Sequence, residues 1–348
     1  MDRGRGTPSG HGLVAAALVA LSLGATTVAA LLAVARLRAP VTQRGIELVA
    51  FTPYGLPAAL VGLAGTLALL WTRRNRRRTT SAAASTAGAA SAFGLAVLHA
   101  CWLGPQFVGA VPDADPAGTR LVVMTQNFEE GDAVEVSALV QRHAVDVLVL
   151  TDASEEQVAD VIATGVGATL PHTTLGHGRG SVVWSRFPIA SDTHISEGGD
   201  SRVVTLDVPG LGGVTVVAVH PKPPHEADGS WWQADWEQVM DLLGESYGDR
   251  VDGRVLLAGD LNATADHWPV RSLAAMGLRD VAEQLNEGPA TTWPANGTQT
   301  RFGVNVPTLL ALDHVMTASG LVATDQAVTG AVGSDHRGVI ATLAPAAR

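Results

Sequence analysis

Two hydrophobic patterns divide this 348-residue chain. Before about residue 108, apolar residues come in long unbroken blocks. After it they come in short runs separated by Gly, Pro, Asn and Asp. The blocks are Leu13–Ala35, 23 residues without a charge, Leu48–Trp71, 24 residues, and an Ala-rich run over 82–108. A helix of about 20 apolar residues crosses a bilayer, so three transmembrane helices are expected at about 13–35, 48–71 and 82–108. The Ala, Ser, Thr and Gly in the first half of the third block also fit a surface helix. Pro53 and Pro57 fall near the start of the second span, where a proline is tolerated.

The short runs read as strands: Leu121–Thr125, Val145–Leu150, Ser181–Trp184, Val203–Val208, Val214–Val219, Val255–Ala258, Leu312–Met316 and Val339–Leu343. Helical spacing appears between some of them. Ala133–Arg142 places Val136, Leu139 and Val140 on one face, and Ser154–Ile162 opens with a Ser-x-x-Gln cap. Ser230–Leu243 repeats Trp232, Trp236, Val239, Met240 and Leu243 at helical spacing. Many strands with helices inserted predict an α/β fold of two packed mixed β-sheets flanked by helices, a four-layer sandwich after three transmembrane helices. The expected layout is a membrane anchor over 1–108, a Pro-containing linker over 109–118 and a globular domain over 119–348.

Charge sharpens this division. Residues 1–112 hold ten arginines and two acids, a net of +8, and residues 113–348 hold thirteen basic and thirty-one acidic residues, a net of −18. Arg73, Arg74, Arg76, Arg77 and Arg78 crowd the loop between spans two and three, which the positive-inside rule keeps cytoplasmic. Arg3 and Arg5 hold the N-terminus there too, against Arg36, Arg38 and Arg44 on the outer side. Three crossings put the C-terminal domain outside the cell. The first span also fits a signal peptide with a cleavage region at Thr27–Ala30, and cleavage leaves the later spans oriented the same way. The lone Cys101 excludes an intramolecular disulfide and any cysteine-based metal site.

Polar residues collect at strand ends, where catalytic sites are usually built. Asp260 and Asn262 close Val-Leu-Leu-Ala-Gly-Asp-Leu-Asn, and their spacing of two points both side chains the same way as a strand leaves its sheet. Alone, Gly-Asp-x-Asn also fits an ordinary turn. Six further motifs stand with it: Gln-Asn127, Leu-Thr-Asp152, Gly-Ser-Val-Val-Trp-Ser-Arg186-Phe-Pro, His220-Pro, Leu-Asp313-His314 and Ser-Asp335-His336.

Seven motifs in this order, over about Arg120 to Leu343, resemble the endonuclease/exonuclease/phosphatase superfamily, here as a membrane-anchored bacterial member. The resemblance implies a hydrolase that attacks phosphoesters with water, assisted by Mg²⁺ or Mn²⁺. Asn127, Asp152 and Asp335 are the implied metal residues. Asp260 and Asn262 would position and activate the water. His336, oriented by Asp313, would touch a phosphate oxygen, and His220 would help neutralise the transition state. Arg186, Trp293 and Arg301 are candidates for substrate binding. His314 should point to the face of its strand opposite Asp313 and be structural. Trp231, Trp232 and Trp236 fit core or cleft-lip positions at helical spacing.

The family normally has Glu where Asp152 stands, and Asp is one methylene shorter, which puts metal affinity in question. The expected activity is that of an outward-facing, membrane-tethered phosphodiesterase or phosphatase acting on small or lipid-linked phosphoesters. An extracellular nuclease is the alternative, although the acidic domain disfavours nucleic acid. A catalytically weak binding or sensory ectodomain is the second alternative, motivated by Asp152.

Overall fold

A computed structural model describes residues 10–75, 82–174, 180–195, 200–295, 297, 299–301 and 303–347. The chain forms two compact units. One runs to Pro40 and resumes over Glu47–Gly104, and the other joins Val41–Ile46 to Pro105–Arg348.

The first unit is helical. Helices α1 (Gly10–Arg38), α2 (Gln43–Ala50, whose first turn belongs to the second unit), α3 (Gly55–Asn75) and α4 (Ala82–Leu103) follow in order. Among the described residues, three segments are long and apolar enough to cross a membrane: Leu13–Arg38, Thr52–Thr72 and Ser85–Gln106. The second expected span is broken near its start, because Pro53 has no N–H for a helical hydrogen bond and sits in a short 3₁₀ turn, Thr52–Tyr54. Small residues let α1 and α3 approach closely: a Cβ on Gly65 would overlap the Ser22 hydroxyl. Arg76, Arg77 and Arg78 of the arginine run lie outside the described residues.

The second unit holds two six-stranded mixed sheets. Its strands are β1 (Leu121–Asn127), β2 (Val147–Ala153), β3 (His172–Thr173), β4 (Gly180–Ser185), β5 (Ile189–His194), β6 (Arg202–Val208), β7 (Gly212–Ala218), β8 (Val255–Asp260), β9 (Arg279–Asp280), β10 (Thr300–Arg301), β11 (Val304–Asn305), β12 (Asp313–Thr317), β13 (Leu321–Val328) and β14 (Val339–Pro345). The orders are β13-β14-β1-β2-β4-β3 and β5-β6-β7-β8-β12-β9, with β10 and β11 a separate ribbon. Alternation decides the layering. Leu121, Val123, Val147, Val149, Val204, Val216, Leu256 and Val315 fill the space between the sheets. Met124, Leu148 and Leu150 face outward onto α5 (Ala133–Arg142) and α6 (Glu155–Ala163). Val217, Val219 and Leu257 face α7 (Ser230–Tyr247) and α8 (Trp268–Ala275). The expected four layers are present, and all eight expected strands occur. Ser154 and Gln157 form the expected capping box on α6.

Val41–Ile46 is an integral part of this second unit. Ile46 is 1% exposed, among Trp232, Trp236 and Val270. Its carbonyl lies 2.9 Å from His267 Nε2. His267 Nδ1 accepts from Thr264 N at 2.9 Å, and burial pushes this imidazole down to about 4, so a neutral ring donates through Nε2 to Ile46. Gly229 has φ +84, and a Cβ there would stand 2.7 Å from Ile46 Cδ1 and 2.9 Å from the Val41 carbonyl. The expected linker also belongs to this unit: Asp115 N donates to Pro345 O at 2.9 Å.

Candidate active site

One end of the sandwich gathers the polar residues. Asn127 ends β1, Asp260 ends β8, and Asp313 opens β12 directly opposite Asp260 in the antiparallel ladder. His220 follows β7, while Asp335 and His336 precede β14. The Gly-Asp pair has a steric origin. Gly259 has φ +153, and a Cβ there would overlap the Val219 carbonyl, so only glycine lets β8 lie this close to the His220 strand.

Asp260 is the hub. It is 1% exposed, and its Oδ2 accepts from Asn127 Nδ2 at 3.0 Å. The same oxygen lies 3.7 Å from His336 Nε2 and 4.0 Å from His220 Nε2. Its Oδ1 accepts from Asn262 N at 2.8 Å, an Asx turn that explains the left-handed backbone of Asn262, φ 45. The Asn262 amide donates to Pro221 O at 3.0 Å, so this side chain braces the loop behind His220.

His336 is 6% exposed and bonded through Nδ1 to Asp313 Oδ2 at 2.8 Å. Burial alone would lower its pKa, but Asp313, Asp260 and Asp335 together raise it to about 10. The ring is therefore an imidazolium at neutral pH. Gln126 Nε2 donates to both Asn127 O and His336 O, tying the end of β1 to the His336 loop. His220 N donates to Ser201 Oγ, while its Nδ1 is buried and has no hydrogen-bond partner among the described residues.

Asp152 follows Thr151, the register partner of Asn127, near the end of β2 and within a register shift between Leu150 and Ala153. A bulge re-aims the residues it contains, and Asp152 has φ 52, a left-handed conformation that Asp tolerates. Asp335 Oδ2 accepts from Trp293 Nε1 at 2.9 Å, and the Trp293 ring centroid is 6.5 Å from that of His336. Two of the three substrate candidates behave otherwise. Arg186 is paired with Asp146 at 2.9 Å, before the first residue of β2. Six strand steps at about 3.3 Å separate the ends of β2, so Arg186 sits roughly 20 Å from the Asp152 end. The Arg301 backbone pairs with Val304, and its side chain lies outside the described residues.

Asp260, Asp313 and His336 bring ligand atoms within 4.8 Å of one another. With Asp313 on its Nδ1, the His336 ring acts in this trio as a hydrogen-bond donor. Asn127, Asp152 and Asp335 supply amide and carboxylate oxygens, with both acids partly open to solvent. Such a hard-oxygen set fits a divalent cation that keeps several waters. Sequence reasoning did not assign roles to Gln126, Asp200, Ser201 or Lys222. Only Lys222 left a signal, as the chain's one lysine, two residues past His220.

The Endonuclease/Exonuclease/phosphatase family pattern matches residues 124–336. No curated protein matches the chain by sequence. Among solved structures, an endonuclease/exonuclease/phosphatase from Beutenbergia cavernae is 23% identical over 65% of this chain and 72% of its own, with a TM-score of 0.48. TDP2 of D. rerio complexed with single strand DNA product is 16% identical, covering 65% of this chain and 99% of its own, at TM-score 0.52. C. elegans TDP2 is 16% identical, covering 72% and 81%, at TM-score 0.53. The two TDP2 likenesses establish the fold. With the family match spanning more than half its length, the chain belongs to the endonuclease/exonuclease/phosphatase family, whose members are generally hydrolases of phosphoester bonds.

Proposed function

We propose that this protein is a divalent-metal-dependent phosphoester hydrolase, tethered to the membrane with its catalytic unit outside the cell, acting on small or lipid-linked phosphoesters. The observation that carries the reading is the Asp260–His336–Asp313 arrangement, a carboxylate facing an imidazolium that a second carboxylate holds at 2.8 Å. Asn127, Asp152 and Asp335 would hold Mg²⁺ or Mn²⁺, which when bound supplies Lewis-acid stabilisation of the phosphoryl oxygens.

The protein's own groups divide the remaining work. Asp260 takes the proton of the attacking water, and Asn127 Nδ2 keeps its carboxylate oriented. His336, kept charged by Asp313, offers Nε2–H to the charge that develops on the phosphoryl group. His220 closes the other side of Asp260. Trp293 fixes the Asp335 carboxylate through its indole N–H and lines the cleft beside His336.

Topology has support from chain continuity. Val41–Ile46 and Pro105–Arg348 pack in one unit, so they lie on the same side of any membrane, as two crossings by α3 and α4 require. The arginines of the α3–α4 connection favour the cytoplasm for that loop, which leaves the catalytic unit outside. The acidic charge of residues 113–348 opposes docking of a long polyanion and favours compact substrates.

The deciding experiment uses the full-length protein in detergent. Hydrolysis of a generic phosphodiester and phosphomonoester is measured with Mg²⁺ or Mn²⁺ and again with chelator. Metal-dependent turnover of a small ester is expected. Faster turnover of duplex DNA, falling steeply with salt, would replace this reading with the nuclease one.

A further inference from the structure

The chain's one lysine has no part in the chemistry above, yet it is held beside it. Pro221 O accepts from Asn262 Nδ2 at 3.0 Å, and Lys222 N donates to Asp235 Oδ2 on α7 at 2.9 Å, so the backbone is fixed from both sides. The side chain reaches Asp200, with Nζ 2.5 Å from Oδ2. That same oxygen stands 3.8 Å from His220 Nδ1, the buried nitrogen without a hydrogen-bond partner. Burial would lower the Lys222 pKa, but Asp200, with Glu226 and Asp152, raises it above the ordinary value. The ammonium is therefore charged and lies on the Asp152 side of the cleft.

Two further facts separate a ligand-binding lysine from a simple counter-ion. An ammonium has three N–H donors, and among the described residues Asp200 takes one of them. The side chain is also 34% exposed, so a ligand can approach it from solvent. On an acidic domain this fixed cation is linked through Asp200 and His220 to Asp260, the group that would activate the attacking water.

The chemistry of the ester decides what such a cation is good for. A diester phosphorus has two non-bridging oxygens that share one negative charge, and two uncharged ester oxygens. A terminal phosphate has a third charged oxygen, and its second negative charge is largely present at neutral pH. An ammonium gains a charge-assisted hydrogen bond from that third oxygen and little from an ester oxygen. We propose that Lys222 is a phosphate-binding residue that selects substrates ending in a terminal phosphate over phosphodiesters. The inference rests on the hydrolase reading and adds the substrate class.

The test uses the full-length protein in detergent with Mg²⁺ or Mn²⁺. Its substrates are p-nitrophenyl phosphate and bis-p-nitrophenyl phosphate, which share a leaving group. Lys222→Met keeps the aliphatic stem and removes the charge. It should raise KM for the monoester by on the order of 10-fold, with kcat within about 3-fold, while kcat/KM for the diester changes less than about 3-fold. Lys222→Arg should restore most of the monoester KM. In parallel, calorimetric titration with inorganic phosphate should show Kd weakened by the same order in Lys222→Met, at an unchanged Tm.

Equal losses on both esters with a lowered Tm would make Lys222 a structural partner of Asp200 and overturn the proposal. No change on either ester would overturn it as well. If the wild-type protein hydrolyses neither ester, the hydrolase reading fails. The phosphate titration then decides Lys222 alone, and a wild-type protein that does not bind phosphate refutes it.

Discussion

Two histidine–carboxylate pairs lie close together in this unit and look alike at first. His336 bonds Asp313 at 2.8 Å, and His314 bonds Asp280 at 2.7 Å. Both rings are buried, and Asp313 and His314 are neighbours on β12, pointing to opposite faces. Their second nitrogens differ. His314 Nε2 lies 3.0 Å from Ala263 O and 3.1 Å from Ala311 O, so the ring is saturated by backbone. Among the described residues, His336 Nε2 faces two carboxylates, Asp260 at 3.7 Å and Asp335 at 3.8 Å. Having a carboxylate partner does not mark a functional histidine. What marks it is the nitrogen left uncommitted.

The comparison breaks most sharply at the hub. His336→Ala and Asp260→Ala should each lower kcat by on the order of 10² or more, because proton transfer and charge stabilisation are lost, with the fold retained by circular dichroism. His314→Ala should do the reverse, leaving kcat per folded molecule within about 3-fold while costing about 1–3 kcal/mol of stability from unpaired buried groups, read by denaturant unfolding. If His314→Ala abolished turnover without destabilising the protein, the distinction between the pairs would be wrong.

Asp313→Asn tests the charge rather than the contact. His336 titrates near 10 because carboxylates outweigh burial. Its charged form is therefore complete at neutral pH and lost as pH rises through about 10. A neutral residue 313 should cut kcat by about 10-fold and move the alkaline limb of the rate profile to lower pH. The stability contribution has the same sign: it is full below the unfolded histidine value of about 6.5 and disappears as pH rises through about 10. An unmoved alkaline limb would show that another group sets it.

The smallest effect concerns Asp152. Restoring a methylene with Asp152→Glu should lower the Mg²⁺ concentration for half-maximal rate by a few-fold, if Asp152 reaches the metal only at a stretch. A higher requirement would show that the bulge and left-handed backbone at Asp152 already place the shorter carboxylate.

The layers were legible because each half-buried strand writes its alternation into the sequence: Val123 and Val149 face in, Met124 and Leu148 face out. Asp260 and Asp313 were legible because their motifs end strands that pair directly. β13 was not, since beyond Ala323 its residues Thr324, Asp325 and Gln326 lie at an edge with little burial to enforce a pattern. Arg186 misled for a related reason. A motif gives the order of residues along the chain but not which end of a strand they reach, and β4, antiparallel to β2, carries Arg186 to the far end. The role of Asn262 was half legible: the Asx turn follows from its spacing to Asp260, but the Pro221 carbonyl that occupies its amide lies 41 positions away.

The Val41–Ile46 segment also sets an order in time. The Ile46 carbonyl meets His267, 221 positions later in the chain. At synthesis rates of about 5–20 residues per second, the segment emerges roughly 10–45 s before its cradle exists. Until then the side chain of Ile46 has no apolar site of its own, and burying it contributes about 1.5–3 kcal/mol only once α7 and α8 have formed. The catalytic unit is thus assembled from both ends of its own biosynthesis. A fragment beginning at Pro105 would be born with an empty slot along α7, shaped to accept a free peptide of sequence Val-Thr-Gln-Arg-Gly-Ile supplied in trans.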